Sequence, residues 1–396
     1  MNAFKVSAWL LLATCWSITA NTQEPEALPT LKLDRIPAMP AFAGQTRAPV
    51  ANKSIYRVET LTTGLSTPWA LAFLPDGSIL INEYVGSMRI IDSEGIASEP
   101  LQGLPEISHE GWAGLFDLAL DPDFEKNNRV YFSYTAPSGD PESPNIPRVA
   151  SATLDAKGLR LKDVVVIVDS DGQQEMHFAP DGTLFLSGAS ASGDGQDLST
   201  HTGKLLRINA DGSIPQDNPV FGDADTPSAI FSMGHRDVSG IAVHPETGEL
   251  WMTEHGPRGG DELNRIVPGA NYGWPLISYG TNYTGEPVGE GEARAEGLIQ
   301  PRYFWRPSIA PSGLMIYSAD MFPEWRDNIF VTSLSGQHIT RLEMDGDRVV
   351  AEERLLVDRG HRIRELRQGA DGALCVLTNE ESDGPQGTAE LLRISK

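Results

Sequence analysis

The chain has 396 residues, with 54 acidic side chains against 31 basic ones and a formal net charge of −23. So negative a surface excludes nucleic acid and anionic membranes as partners. Two cysteines, Cys15 and Cys375, leave no basis for a disulfide-stapled fold, so an apolar core must hold the chain together.

The N-terminus reads "MNAFKVSAWLLLATCWSITANTQ": Lys5, an apolar run from Val6 to Ile18, then the small residue Ala20. The run is too short to cross a bilayer and predicts a secretory signal peptide over residues 1–20, hence a periplasmic or secreted protein. "LATC" also puts Cys15 after small residues, which leaves lipoprotein anchoring through Cys15 as the alternative, although Thr14 suits such a signal poorly. No other stretch could anchor the chain in a membrane. Residues 21–52, which contain "EPEALPTLKLDRIPAMPAFAG", form a Pro-rich segment expected to be extended.

From residue 53 to 396 one unit returns: an apolar run, a turn of the x-P-D-G type, and a second apolar run. The copies are "WALAFLPDGSILINE" (69–83), "FDLALDPDFEKNNRVYFSY" (116–134), "MHFAPDGTLFLSG" (176–188), "GIAVHPETGELWMTE" (240–254), "LMIYSADMFPEWRDNIFVTSL" (314–334) and "LRQGADGALCVLTN" (366–379). Each is a hairpin by its turn residues. Six copies predict an all-β protein, a six-bladed β-propeller of four-stranded antiparallel blades. A pair of β-sandwiches would also give many short strands, but has no reason to repeat one hairpin signature. Cys375, within "GALCVLT", is expected in the core. Functional residues should gather where loops from different blades meet at one end of the central channel.

The fourth copy runs into "TEHGPRGGDELN", residues 253–264, which has more turn chemistry than a hairpin requires. Gly256-Pro257 and Gly259-Gly260 allow a tight fold with outward carbonyls, the ligands a hard cation takes; a plain surface loop is the other reading.

Taken together, "GHRDVSGIAVHPETGELWMTEHGPRGGDELNRIVPGANYGWPLISYG" (234–280), "RPSIAPSGLMIY" (306–317) and "HRIRELRQGADGAL" (361–374) resemble the soluble pyrroloquinoline-quinone (PQQ)-dependent aldose sugar dehydrogenases, the glucose/sorbosone dehydrogenase family. The resemblance runs from about residue 55 to the end, and "EHGPRGGDELN" followed by "NYGWP" carries most of it. It implies PQQ and calcium as cofactors, a sugar or polyol substrate and an external electron acceptor. By match, Gly256 and Pro257 would supply carbonyls to a Ca²⁺ beside the quinone, while Arg236, Asp237, Arg362 and Arg364 would surround the cofactor. PQQ is a tricarboxylate. Arg362 and Arg364, alternating along a strand, present both guanidinium groups to one face, as a carboxylate clamp requires.

The resemblance breaks where the chemistry should be. Family members carry a histidine base seven residues ahead of the Phe of "FGPDG"; here that position, counted from Phe178, is Asp171. The following G-G-R is Gln173-Gln174-Glu175, a later G-D is Gly188-Ala189, the glutamine of "GQGG" is Trp112, and "GHRNPQG" is altered at Asp237 and Ser239. Asp171 is the candidate base, with His177 the fallback, and Trp112 is expected at the substrate mouth. Three functions stay open at this point: a dehydrogenase with an altered proton-acceptor site, a degenerate propeller that binds a sugar, glycan or protein, and a calcium-dependent lactonase-type hydrolase. Three arginines for one carboxylated cofactor favour the first.

Overall fold

The computed structural model describes residues 39–396 apart from 141–142, 172–174, 189–194, 223–225 and 381–386. The signal peptide, Cys15, Gln173, Gln174 and Ala189 therefore lie outside the described residues.

Each of the six repeated signatures is the innermost hairpin of one blade. Numbering the blades in chain order, the inner strands are Pro68–Phe73, Leu115–Leu120, Met176–Phe178, Asp237–Val243, Pro311–Ile316 and Arg362–Gln368. Their partners are Ile79–Glu83, Arg129–Ala136, Thr183–Gly188, Leu250–His255, Ile329–Ser333 and Leu374–Asn379. In blades 1, 3 and 6 an Asp-Gly turn explains why they fold so. In blade 1, Asp76 Oδ1 accepts both the N–H and the hydroxyl of Ser78, and Gly77 takes the left-handed φ of 87° that closes the turn. Asp181 and Thr183 repeat the arrangement in blade 3.

Five blades have four antiparallel strands; blade 1 has three, with an isolated bridge between Ile91 and Ala97 at its edge. Blade 6 draws its outermost strand from the start of the propeller: Arg57–Leu65 pairs antiparallel with Ala389–Ser395. The ring is thus closed by hydrogen bonds between its two chain ends, a substitute for the absent disulfide.

One apolar cluster fills each of the six gaps between blades. Leu184, Leu186 and Leu206 of blade 3 pack on Tyr131 and Val149 of blade 2, whereas Phe185 and Leu205 pack on Ile241 and Met252 of blade 4. Both faces of a middle blade are covered, so its strands read as near-continuous apolar runs. Cys375 lies in the cluster between blades 6 and 1, where burial pushes its thiol up to about 12 and leaves it inert. Each fully buried Leu, Ile or Phe contributes about 1.5–3 kcal/mol. Among the described residues the only α-helix is Phe124–Asn127, and no helix is long and apolar enough to cross a membrane.

The expected extended lead-in is, over residues 39–52, a docked segment. Gln45 is fully buried, its Nε2 donating to Pro301 O at 2.8 Å and its carbonyl accepting from Phe304 N. Further on, Ala51 N donates to Glu352 O and Glu352 N donates to Pro49 O, both at 2.8 Å, so the segment straps blades 4 and 5 together.

Candidate functional site

Because the chain passes from the outer strand of one blade to the inner strand of the next, all six inner strands start at the same end of the channel. Loops that precede inner strands, and those that join second to third strands, gather there. Trp112, Asp171, Glu175, Arg236, the 255–260 turn and Arg362 all belong to this mouth by position.

The 255–260 turn is built around Asp261, which is fully buried. Its Oδ1 accepts Gly256 N at 2.9 Å, and its Oδ2 accepts Ser308 Oγ, Ile309 N and Ala310 N at 2.7, 2.8 and 3.0 Å. One carboxylate therefore fixes both the blade 4 turn and the loop entering blade 5. The glycines serve close approach: a Cβ on Gly256 would meet Gly259 O at 2.2 Å, and one on Gly260 would meet Gly280 N at 2.3 Å.

Arg236 lies against this turn. Glu254 Oε2 accepts its backbone N–H at 2.6 Å, while Nη1 donates to His255 O at 3.0 Å and Gly256 O at 3.2 Å. Its guanidinium sits 5.3 Å from the Trp274 ring centroid. A cavity of about 20 Å³, the size of one water or ion, is lined here by Arg236, Glu254, Gly256, Pro257, Glu262 and Tyr272, among others. Burial, and then Glu254, hold the Glu262 carboxyl well above the usual range, with Asn264 opposing. Asp237 opens the blade 4 inner strand opposite His255.

On the other side of the mouth, Arg364 lays its guanidinium 3.8 Å from the centroid of Trp69, which itself stacks on Tyr84 at 5.4 Å and meets Phe116 edge-on. A bulge between Ile363 and Glu365 sets its place, since Ile363 and Leu366 both turn into the blade 5–6 cluster. Burial pushes Arg364 down to about 10, with Glu175 the leading opposing charge; it remains a cation at neutral pH. The Nε atoms of Arg236, Arg362 and Arg364 are all buried with no hydrogen-bond partner.

Below Arg364 the channel holds charges that sequence reasoning missed. Asp117, buried in the blade 2 inner strand, accepts Leu118 N at 2.7 Å and Met176 N at 2.6 Å. Glu365 accepts Leu366 N at 2.7 Å and Arg367 Nη1 at 2.8 Å. Burial raises Glu365 to about 7 despite Arg367. Glu175 is raised well above the usual carboxylate range, first by burial and then by Asp117 and Glu365, with Arg364 and Arg367 opposing. The signal was present: a carboxylate inside "LFDLAL" breaks an otherwise apolar inner strand.

The two base candidates lie apart. Asp171 is exposed at the mouth, and its Oδ2 accepts the backbone N–H of His201 at 2.7 Å. His177 lines a cavity of about 250 Å³ formed with Leu71, Leu118, Phe178, Arg367 and Gln368, at the opposite end of the inner strands. Its Nε2 accepts Val243 N at 3.4 Å, and burial, then Arg367, push its pKa down to about 4. It is a neutral channel histidine away from the mouth. Trp112 is 84% exposed in the loop before the blade 2 inner strand, not a packing residue.

The residues present fit a tricarboxylate: three buried guanidinium nitrogens want acceptors. For a hard cation the donors at the turn are all oxygen. Among the described residues no cluster of three or more His, Cys, Asp or Glu side chains could hold a metal, so an ion here depends on carbonyls. The carbonyl of Gly256 already accepts from Arg236, whereas that of Pro257 accepts no hydrogen bond from a described residue.

The family model described as Glucose / Sorbosone dehydrogenase matches residues 65–392. Aldose sugar dehydrogenase YliI of Escherichia coli (strain K12) is 36% identical over 356 residues, which is 85% of this chain and 92% of the relative. Among solved structures, the apo-form of the soluble aldose sugar dehydrogenase from Escherichia coli superposes with a TM-score of 0.79 at 35% identity, covering 86% of this chain and 99% of that one. The PQQ-bound aldose sugar dehydrogenase from Streptomyces coelicolor gives 0.71 at 27% identity, covering 87% and 99%.

Proposed function

Because this chain belongs to the Glucose / Sorbosone dehydrogenase family, we propose that it is a PQQ- and calcium-dependent dehydrogenase that oxidises an aldose sugar or related polyol. The electrons pass to an external acceptor, and the work is done outside the cytoplasm. One observation carries the reading: Arg236, Arg362 and Arg364 each bury an Nε without a partner at one mouth of a protein of net charge −23. A buried guanidinium N–H without an acceptor is costly, and a ligand with several carboxylates removes that cost at three places together.

When bound, PQQ supplies the two-electron hydride acceptor. Arg362 and Arg364 would hold its carboxylates from blade 6, with Arg364 kept planar and in place by the face of Trp69. Arg236 would do so from blade 4. Calcium would rest on the carbonyls of Gly256 and Pro257, once Arg236 turns its Nη1 from Gly256 to the ligand. Trp112, exposed at the rim, offers an aromatic platform for a sugar ring.

The test is a titration of the purified protein with PQQ, with and without calcium, followed by dye reduction over a panel of aldoses and polyols. Saturable binding and sugar-dependent dye reduction are expected. A protein that binds PQQ and oxidises nothing is a binding propeller, and one that does not bind PQQ is not a dehydrogenase of this kind.

A further inference from the structure

We propose that Glu175 accepts the hydroxyl proton of the substrate, in place of the family histidine whose position Asp171 fills. This rests on the dehydrogenase reading and names the group that completes it. Two changes on one loop belong together: the histidine has become Asp171, and four residues on an arginine has become Glu175. The first removes the base of the family, and the second puts a carboxylate into the channel mouth.

Geometry separates the two acids. Asp171 is exposed, and one of its oxygens is spent on the N–H of His201. Glu175 is partly buried, and its backbone is fixed on both sides, Glu175 N donating to Ser187 Oγ at 2.9 Å and Ser187 N to Glu175 O at 3.0 Å. Its carboxylate receives no hydrogen bond from any described residue, so its lone pairs are open to a hydroxyl. The charged groups facing it are Asp117 from blade 2 and Arg364, Glu365 and Arg367 from blade 6. Of these, Asp117 has both oxygens engaged, by Leu118 N and Met176 N, and Glu365 takes Leu366 N and Arg367 on one oxygen. Glu175 is the acid of the cluster with both oxygens open. Burial and two neighbouring carboxylates raise its proton affinity above that of an ordinary carboxylate, with Arg364 and Arg367 opposing, which makes it a stronger proton acceptor than an exposed acid.

The step balances. The C–H bond of the carbinol carbon breaks with its electron pair passing as hydride to the orthoquinone cofactor. The O–H proton passes to Glu175, the O–H electron pair becomes the second bond of the product carbonyl, and the carboxylic acid returns its proton to water.

Glu175→Gln keeps the shape and removes the acceptor. In the cofactor-free protein, an infrared pH titration should show one protonated carboxyl fewer above the ordinary carboxylate range in Glu175→Gln than in the wild type, the raised Glu262 and Glu365 being common to both. With PQQ, the variant should bind as tightly as wild type or tighter, having lost a negative charge, while sugar oxidation falls by about 10²-fold or more. Should Glu175→Gln not fold, Glu175→Asp takes its place, expected to keep the shifted titration and lose turnover through its shorter reach. Wild-type-like turnover in the variant, or identical titrations of the two proteins, overturns the proposal. So does an Asp171→Asn variant that alone loses turnover, which would place the base at Asp171. A wild type that binds PQQ and oxidises nothing instead brings down the dehydrogenase reading itself.

Discussion

Asp261 Oδ2 accepts the backbone N–H of Ile309 at 2.8 Å, joining blade 4 to the loop that leads into blade 5 across a sequence separation of 48 residues. The same carboxylate holds Gly256, whose carbonyl bonds Arg236. Order at the mouth thus passes from a buried acid to a turn and from the turn to the Arg236 guanidinium.

Asp261→Ala would strand the N–H groups of Gly256, Ile309 and Ala310 in a buried setting. The expected loss of stability is on the order of 3 kcal/mol or more, measured as a fall in the urea midpoint, with PQQ affinity falling too. A variant as stable as wild type would show that water satisfies those groups.

Arg364→Lys keeps the charge but loses the flat group that stacks on Trp69 at 3.8 Å and the fork that grips a carboxylate. PQQ affinity should drop by about 10–100-fold, the cost of charge-assisted hydrogen bonds, in a fluorescence titration. Unchanged affinity would remove Arg364 from the cofactor site.

Trp112→Gln restores the amide of the family at a position that is exposed. The unfolding midpoint should move by no more than about 0.5 kcal/mol equivalent, since an exposed side chain contributes little to the fold. The sugar KM should rise while PQQ affinity holds. If neither KM nor any ligand affinity changes, Trp112 is not a platform.

The acid limb of stability should carry the mark of His338, whose pKa burial pushes down to about 4. Below the ordinary histidine value of about 6.5 the unfolded chain binds a proton that the fold refuses, so stability falls as pH drops from about 6.5 toward 4. His177, also at about 4, acts in the same sense. Glu365, raised to about 7, acts in the opposite one, binding its proton in the fold before the unfolded chain does and losing stability as pH rises toward 7. His338→Gln should flatten the acid limb in pH-dependent urea unfolding. An unchanged slope would mean that His338 titrates normally.

The architecture was legible in the chain alone, because the propeller is written in local chemistry. An Asp-Gly turn such as Asp76-Gly77 closes a hairpin wherever it stands, it recurs at Asp181-Gly182 and Asp371-Gly372, and six hairpins flanked by apolar runs leave few ways to bury both faces of every blade. The sequence also marked the arginines and the 255–260 turn, since excess glycine and paired arginines in an acidic chain are visible without coordinates. Membership of the family followed from the same strings.

Tertiary structure decided which acids act together. Asp117, Glu175 and Glu365 lie on three different blades, and nothing local predicts that Met176 N would be spent on Asp117 while the neighbouring Glu175 carboxylate stays open. Alignment by spacing marks Asp171, whereas burial depends on what packs around a group: Asp171 lies in the open and Glu175 is partly buried. His177, two residues further along, belongs to the other end because a strand carries each residue about 3.3 Å down the axis. Spacing along the chain fixes direction within a blade; the charge a group carries is fixed by the neighbours that five other blades bring to it.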